Sequence, residues 1–188
     1  LLHTLHVDLA SAAADRSYPI QIGRGLIMDA SIWQPSIEGR GVVLVTDNQV
    51  GLLYGEAVKA ALAGARQVTE VVVPAGESHK DMTSIQQILD AALADRHERG
   101  SLFVALGGGV VGDMTGFAAA CYQRGVSFSD STDAAFGCPH VGAHGECTAV
   151  ASFQKIEENF VAFWIESHDF DGAIKEQGNG VHALSDVH

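Results

Sequence analysis

The chain is poor in cysteine, in positive charge and in long apolar runs. Its three cysteines, Cys121, Cys138 and Cys147, cannot all pair with one another, and no C-x-x-C is present. A disulfide-stapled scaffold is thereby excluded. Only 11 Lys and Arg stand against 23 Asp and Glu, a formal charge of −12. A general nucleic-acid binder wants a basic face, so that class is set aside. An anion site is not, because backbone amides bind phosphate without net positive charge. No segment is apolar for the length a membrane span requires, and no charged n-region precedes an apolar h-region as in a signal peptide. The expectation is a soluble, cytoplasmic protein with no membrane or nucleic-acid partner. Apolar residues make up 47% of the 188, enough for one packed domain, or one and part of a second.

What the chain does have is glycine, and it is concentrated in "LGGGVVGDMTGFAAACYQRG", Leu106 to Gly125. Glycine costs stability inside regular structure, so such a cluster suggests that something approaches the backbone closely. Around it, apolar periodicity predicts an ordered series of elements. "LHVDL" (5–9) and "YPIQIG" (18–23) read as a β-hairpin. "GVVLVTD" (41–47), "VTEVVVP" (68–74) and "SLFVAL" (101–106) read as strands, and the first is continuous enough to be buried on both faces. Helices are predicted over 50–62, 82–96 and 112–122, the second with Ile85, Leu89 and Ala92 or Leu93 on its apolar face. Strands alternating with helices predict an α/β fold, a Rossmann-like parallel sheet with an N-terminal hairpin. Ligands of such sheets sit past the carboxyl ends of the strands. Three segments lie there: 46–48, 74–80 and 107–113.

Each segment has two readings. Gly107, Gly109 and Gly112 satisfy G-x-G-x-x-G between a strand and a helix, where a pyrophosphate meets free N–H groups and a positive dipole end. A glycine-rich turn that lets the helix pack tightly on the sheet has the same pattern. Asp113 either favours the helix dipole or serves a hydroxyl or metal. Asp130 stands at the distance of a ribose-binding acid, but no strand pattern carries it. Asp47 or Asn48 either bonds adenosine hydroxyls or caps the next helix. Glu77 and Lys80 either hold ribose and phosphate or form a turn with a charge pair. Arg124 is either a bidentate phosphate ligand or a solvated charge. Cys121 reads as a buried small hydrophobe. Cys138, His140, His144 and Cys147 cluster, but their spacing fits no zinc pattern.

Together, "VTDNQVGLLY", "VVVPAGESHK" and "ALGGGVVGDMTGFAAACYQRGV" strongly resemble the 3-dehydroquinate synthase family of sugar-phosphate cyclases over about residues 3 to 127. The resemblance implies an NAD-dependent carbon–oxygen lyase of the shikimate pathway that also uses a divalent metal, zinc or cobalt. Its substrate is a seven-carbon keto acid phosphate, and the family suggests a homodimer. It implies that Asp47 and Asn48 meet the adenosine end of NAD, and that Gly76, Glu77 and Lys80 line its ribose and phosphates. Gly108, Gly109, Val110, Val111, Gly112 and Asp113 cradle the pyrophosphate and nicotinamide side. Arg124 matches an arginine used on the substrate phosphate.

After "CYQRGV" the resemblance stops. The family's Pro-Thr-Thr segment, its Gly-Gly-Lys turn, its catalytic lysines and the Glu and two His that hold its metal have no counterpart in residues 128–188, so no metal ligand is assigned. The charge changes there too. Residues 1–127 hold 13 acids and 9 Lys or Arg, whereas 128–188 hold 10 acids with only Lys155 and Lys175. The expected organisation is an NAD-binding α/β domain over 1–127 and a divergent acidic tail over 128–188, in place of the family's helical second domain. "IEENFVAFWIE" (156–166) is the one helical pattern in that tail. A truncated or frame-disrupted cyclase, weak or inactive, fits this pattern. So do a sister cyclase, a glycerol-dehydrogenase-like relative, and a non-catalytic NAD-binding module. Reading the coding DNA beyond codon 127 in all three frames separates two origins of the tail. Pro-Thr-Thr and Gly-Gly-Lys in another frame identify a frameshift, and their absence identifies foreign sequence.

Overall fold

A computed structural model describes residues 2–7, 18–23, 25–133 and 148–153. Among these residues, seven strands form one sheet in the order β1-β2-β7-β6-β5-β3-β4. They are β1 (His3–Val7), β2 (Tyr18–Gly23), β3 (Gly41–Asp47), β4 (Gln67–Val73), β5 (Leu102–Leu106), β6 (Ser127–Asp133) and β7 (Thr148–Phe153). Neighbours among β6, β5, β3 and β4 are parallel, with Val43 opposite Thr69 on one side and Phe103 on the other. The expected hairpin is present, β1 antiparallel to β2 with His3 opposite Ile22. The α/β, Rossmann-like expectation is thus met.

Among the described residues, four α-helices cover the sheet: α1 (Ala30–Ile37), α2 (Val50–Ala61), α3 (Met82–Ala94) and α4 (Gly109–Cys121). They divide the core in two. Val43, Val45, Phe103 and Ala105 point to one face, against Ile85 and Ile88 of α3 and Met114 and Ala118 of α4. Val42, Leu44, Leu102 and Val104 point to the other, against Trp33 and Ile37 of α1 and Val58 of α2. This explains why β3 and β5 read as unbroken apolar runs rather than alternating ones.

Strand order and helix placement create a switch point. From β3 the chain steps outward to β4 through α2, then returns past β3 to β5 through α3 on the opposite face. The carboxyl ends of β3 and β5 therefore diverge, which opens the crevice where doubly wound sheets take ligands.

Several expectations change. α4 begins at Gly109, not Gly112, so most of the glycine loop is already the first helical turn. α1 was not foreseen, although Asp29 caps it by accepting from the Ser31 N–H at 2.9 Å. β6 and β7 were not foreseen either. The boundary expected between residues 127 and 128 falls inside β6, and the sheet runs straight through it. On α3 the buried face is Ile85, Ile88 and Ala92, while Leu93 is 58% exposed. Cys121 is exposed rather than buried. The cysteine–histidine cluster and the helical pattern over 156–166 lie outside the described residues.

Ile88 is wholly buried between α3 and the sheet. Ile88→Ala is expected to cost about 2–5 kcal/mol of unfolding free energy, measured by urea denaturation.

Candidate functional site

The three segments picked out in the sequence meet at the carboxyl ends of the parallel strands, tied by hydrogen bonds. Thr46 Oγ1 donates to the Leu106 carbonyl at 2.8 Å, joining the ends of β3 and β5. Asn48 donates its N–H to the Val73 carbonyl at 3.1 Å, and its Oδ1 accepts from the Ala75 N–H at 3.1 Å. That pins the turn after β4 to the turn after β3. Gly107 donates to the Ser131 carbonyl at 3.3 Å, fixing the glycine loop to β6.

Asp47 does what the capping reading required. Its Oδ1 accepts from the N–H groups of Gln49 and Val50, both at 2.8 Å, at the start of α2. The turn after β4 uses Gly76 at φ 108°, a conformation that strains any side chain. Beyond it, Lys80 Nζ donates to Asp113 Oδ2 at 2.6 Å and lies 3.6 Å from Glu77. The Lys80 side chain is 8% exposed and that of Asp113 36%, so this partly buried ion pair cross-links the Gly76–Lys80 turn to α4. Asp113 is the fifth residue of α4, past the first turn where an acid gains most from the dipole. Its interaction is with Lys80.

The glycines separate into two kinds. A Cβ at Gly107 would lie 2.8 Å from Val111 Cγ2, and one at Gly112 would lie 3.3 Å from Asp130 Oδ1. Internal packing accounts for glycine at those two positions. Gly108 and Gly109 are different. A Cβ at either would meet nothing within 4 Å, and neither has a positive φ. Neither the fold nor the backbone conformation requires glycine there. Gly108 caps α4, and Gly112 makes an early bond of the helix, to the Gly108 carbonyl at 3.0 Å. The N–H groups of Gly108, Gly109, Val110 and Val111 thus have no acceptor within the helix and face the crevice mouth. This is the geometry that accepts a phosphate.

Residues 70–155 match the family model described as 3-dehydroquinate synthase N-terminal. A 3-dehydroquinate synthase of Pseudomonas aeruginosa (strain LESB58) is 51% identical over 127 residues, covering 68% of this chain and 33% of the relative. One from Saccharophagus degradans is 48% identical over 127 residues. Over that stretch the chain is similar to the amino-terminal part of 3-dehydroquinate synthases. It spans about one third of the length of these relatives. A structure of 2-deoxy-scyllo-inosose synthase, complexed with carbaglucose-6-phosphate, NAD+ and Co2+, shares the fold with a TM-score of 0.57 at 21% identity. It is matched over 67% of this chain and 34% of its own length. A second structure of that enzyme gives a TM-score of 0.59 at 20% identity.

The family match runs on through β6 and β7, beyond the residue where the motif resemblance stops. Arg124 lies past the carboxyl end of α4, a helix of 13 residues. At about 1.5 Å per residue that is about 20 Å from the glycine loop. Within one chain, Arg124 therefore stands apart from the glycine loop. Arg124 is exposed and sits at φ 68°, next to Gln123 at φ 46°, a strained pair of non-glycine residues. Among the described residues, no group of three or more His, Cys, Asp or Glu is arranged to hold a metal ion. No helix among them is long and apolar enough to cross a membrane.

Sequence reasoning saw Asp130 but had no strand for it. It is the fourth of seven residues in β6, opposite Ala105. That puts it behind the strand tip, where a ribose-binding acid does not sit. Its carboxyl instead packs beneath Gly112. Burial first, and the charge of Asp113 second, push its pKa up to about 6.

The two kinds of glycine respond differently to the same methyl group. Gly107→Ala is expected to cost about 1–3 kcal/mol because it overpacks against Val111. Gly108→Ala, at an N-cap facing open space, is expected to cost less than about 1 kcal/mol. Paired thermal denaturation curves check the difference.

Proposed function

We propose that this chain binds NAD at the carboxyl ends of β3 and β5, with the pyrophosphate against the amides of Gly108 to Val111. The observation that carries this is the pair of glycines at 108 and 109. No neighbour, no strained φ and no packing demand explains them, whereas close approach of a ligand to the backbone does. Gly112 and Asp113 complete that side of the cradle. The wiring of Asn48, Gly76, Glu77 and Lys80 supports the same reading. These residues already form one connected rim, so little rearrangement is needed for them to meet the adenosine end and the ribose. Asp47 contributes by holding the start of α2 in place.

The described residues fit the nucleotide, and among them no group would hold the metal. NAD, when bound, supplies a hydride acceptor and returns the hydride within one turnover. This chain's own contribution is to anchor the phosphates on backbone dipoles, to orient the nucleotide across the switch point, and to keep Lys80 and Asp113 paired beside it. In the whole family the reaction would convert 3-deoxy-D-arabino-heptulosonate 7-phosphate to 3-dehydroquinate with release of phosphate. A metal that polarises the substrate needs ligands, and the described residues offer none. We therefore assign these 188 residues nucleotide binding, and little or no cyclisation on their own. A sister cyclase acting on another sugar phosphate would share the same nucleotide half. A non-catalytic NAD-binding module is favoured by the lack of a metal-holding group among the described residues.

Calorimetric titration of the purified chain with NAD tests the assignment. Saturable one-to-one binding that is lost in Gly108→Val, with an unchanged circular dichroism spectrum, is the expected result. A folded chain that takes up no NAD would overturn it. Release of phosphate from the keto acid phosphate by the chain alone would overturn the assignment of inactivity.

A further inference from the structure

Beneath the glycine loop lies a charged group that the nucleotide reading does not use. The Asp130 carboxyl projects from β6 to the underside of α4. A Cβ added at Gly112 would lie 3.3 Å from its Oδ1 and 3.4 Å from its Oδ2. Oδ1 is shut off from solvent and has no hydrogen-bond partner among the described residues. An ionised carboxylate in that position is poorly solvated and close to the first turn of α4, where an incoming phosphate would also sit.

Among the described residues, the surroundings offer it no cation. Neither flanking strand, β5 (Leu102–Leu106) or β7 (Thr148–Phe153), carries an ionisable side chain. α4 presents Asp113, of the same sign, and its remaining ionisable residue, Cys121, lies at the far end of the helix. Lys80 is already committed to Asp113 at 2.6 Å and to Glu77 at 3.6 Å. His79 lies on the turn just before Lys80. An uncompensated negative charge below the loop opposes the same amide dipoles that attract an anion from above.

We propose that Asp130 links anion binding at the glycine loop to a proton: the loop holds a nucleotide pyrophosphate tightly when the Asp130 carboxyl is neutral and weakly when it is ionised. The proposal rests on the nucleotide reading of the loop and adds to it a residue outside the motifs that suggested that reading. Burial and the Asp113 charge, which raise the Asp130 pKa to about 6, place the change between mildly acidic and neutral pH. The sign follows directly. An acid with a raised folded-state pKa favours the folded, protonated form at low pH, and that advantage disappears as pH rises through about 6. Linkage is reciprocal, so a pyrophosphate bound to the loop raises the proton affinity of Asp130, and binding near neutral pH takes up a proton.

The test is calorimetric titration of the full chain with NAD between about pH 5.5 and about pH 8, for the natural chain and for Asp130→Asn. The natural chain is expected to lose about fivefold in affinity across that range, and Asp130→Asn to stay near the tight value throughout. His79 is present in both proteins, so any pH dependence it contributes remains in the variant and subtracts out. A shared pH profile in the two proteins overturns the proposal while leaving the nucleotide site standing. Absence of binding by the folded chain at every pH overturns the nucleotide reading, and this proposal with it. Should Asp130→Asn fail to fold, the natural chain decides alone. Titration near pH 7 in buffers of different ionisation enthalpy is expected to show net proton uptake, and zero uptake overturns the link.

Discussion

β3 and β5 lie side by side as parallel strands, and the chain reverses its direction of winding between them. The rest of the site depends on that pairing. It sets the turns after the two strands apart by one strand spacing, with helices leaving on opposite faces. The Thr46–Leu106 hydrogen bond holds the two strand ends level. With that fixed, the turn after β4 is drawn in by Asn48, and α4 is drawn in by Lys80 through Asp113. A crevice lined by backbone amides is what remains between them.

Much of this could be read in the sequence. The unbroken run over residues 41–47 announced a strand covered on both faces, and Val42 to Val45 are wholly buried. The glycine cluster announced a loop of unusual backbone access. What the pattern could not do was divide its glycines. Only the neighbours of each missing Cβ separate Gly107 and Gly112, which packing demands, from Gly108 and Gly109, which it does not. Nor could the pattern find the first turn of α4. Glycine and valine have poor helix propensity, and the helix is held there by burial of Val111 and Met114 rather than by local preference.

Arg124 shows how proximity in sequence and proximity in space differ. It follows the glycine loop by little more than a helix, and along a helix every residue adds distance. Residues at the two ends of α4 belong to opposite ends of the sheet. Asp130 shows the converse. It follows the loop at a longer separation, yet the β5–α4–β6 crossover folds it back under Gly112. β6 escaped notice because "SFSDSTD" has neither the apolar weight nor the branching of its neighbours. Phe128 faces the core, and Ser129 and Ser131 are also buried. Ser131 donates its Oγ to the Ala105 carbonyl at 2.5 Å, a polar solution to a buried position that apolar periodicity does not register.

β6 begins where the likeness of the motifs to the family ends, and it still completes the sheet. A parallel strand asks little of the sequence that enters it. Its neighbours require amides and carbonyls in register, and small or satisfied side chains wherever there is a core to fill. Seven residues that meet those terms are accepted whatever their origin. The carbonyl of Ser131, which receives the Gly107 N–H, belongs to the main chain and not to a conserved side chain. The loop is thus anchored by a feature any residue supplies. A protein built this way can exchange the letters downstream of a boundary and keep the scaffold upstream of it intact. What such an exchange does alter is the charge stored under the loop, since the strand that closes the sheet also chooses which side chain lies beneath Gly112.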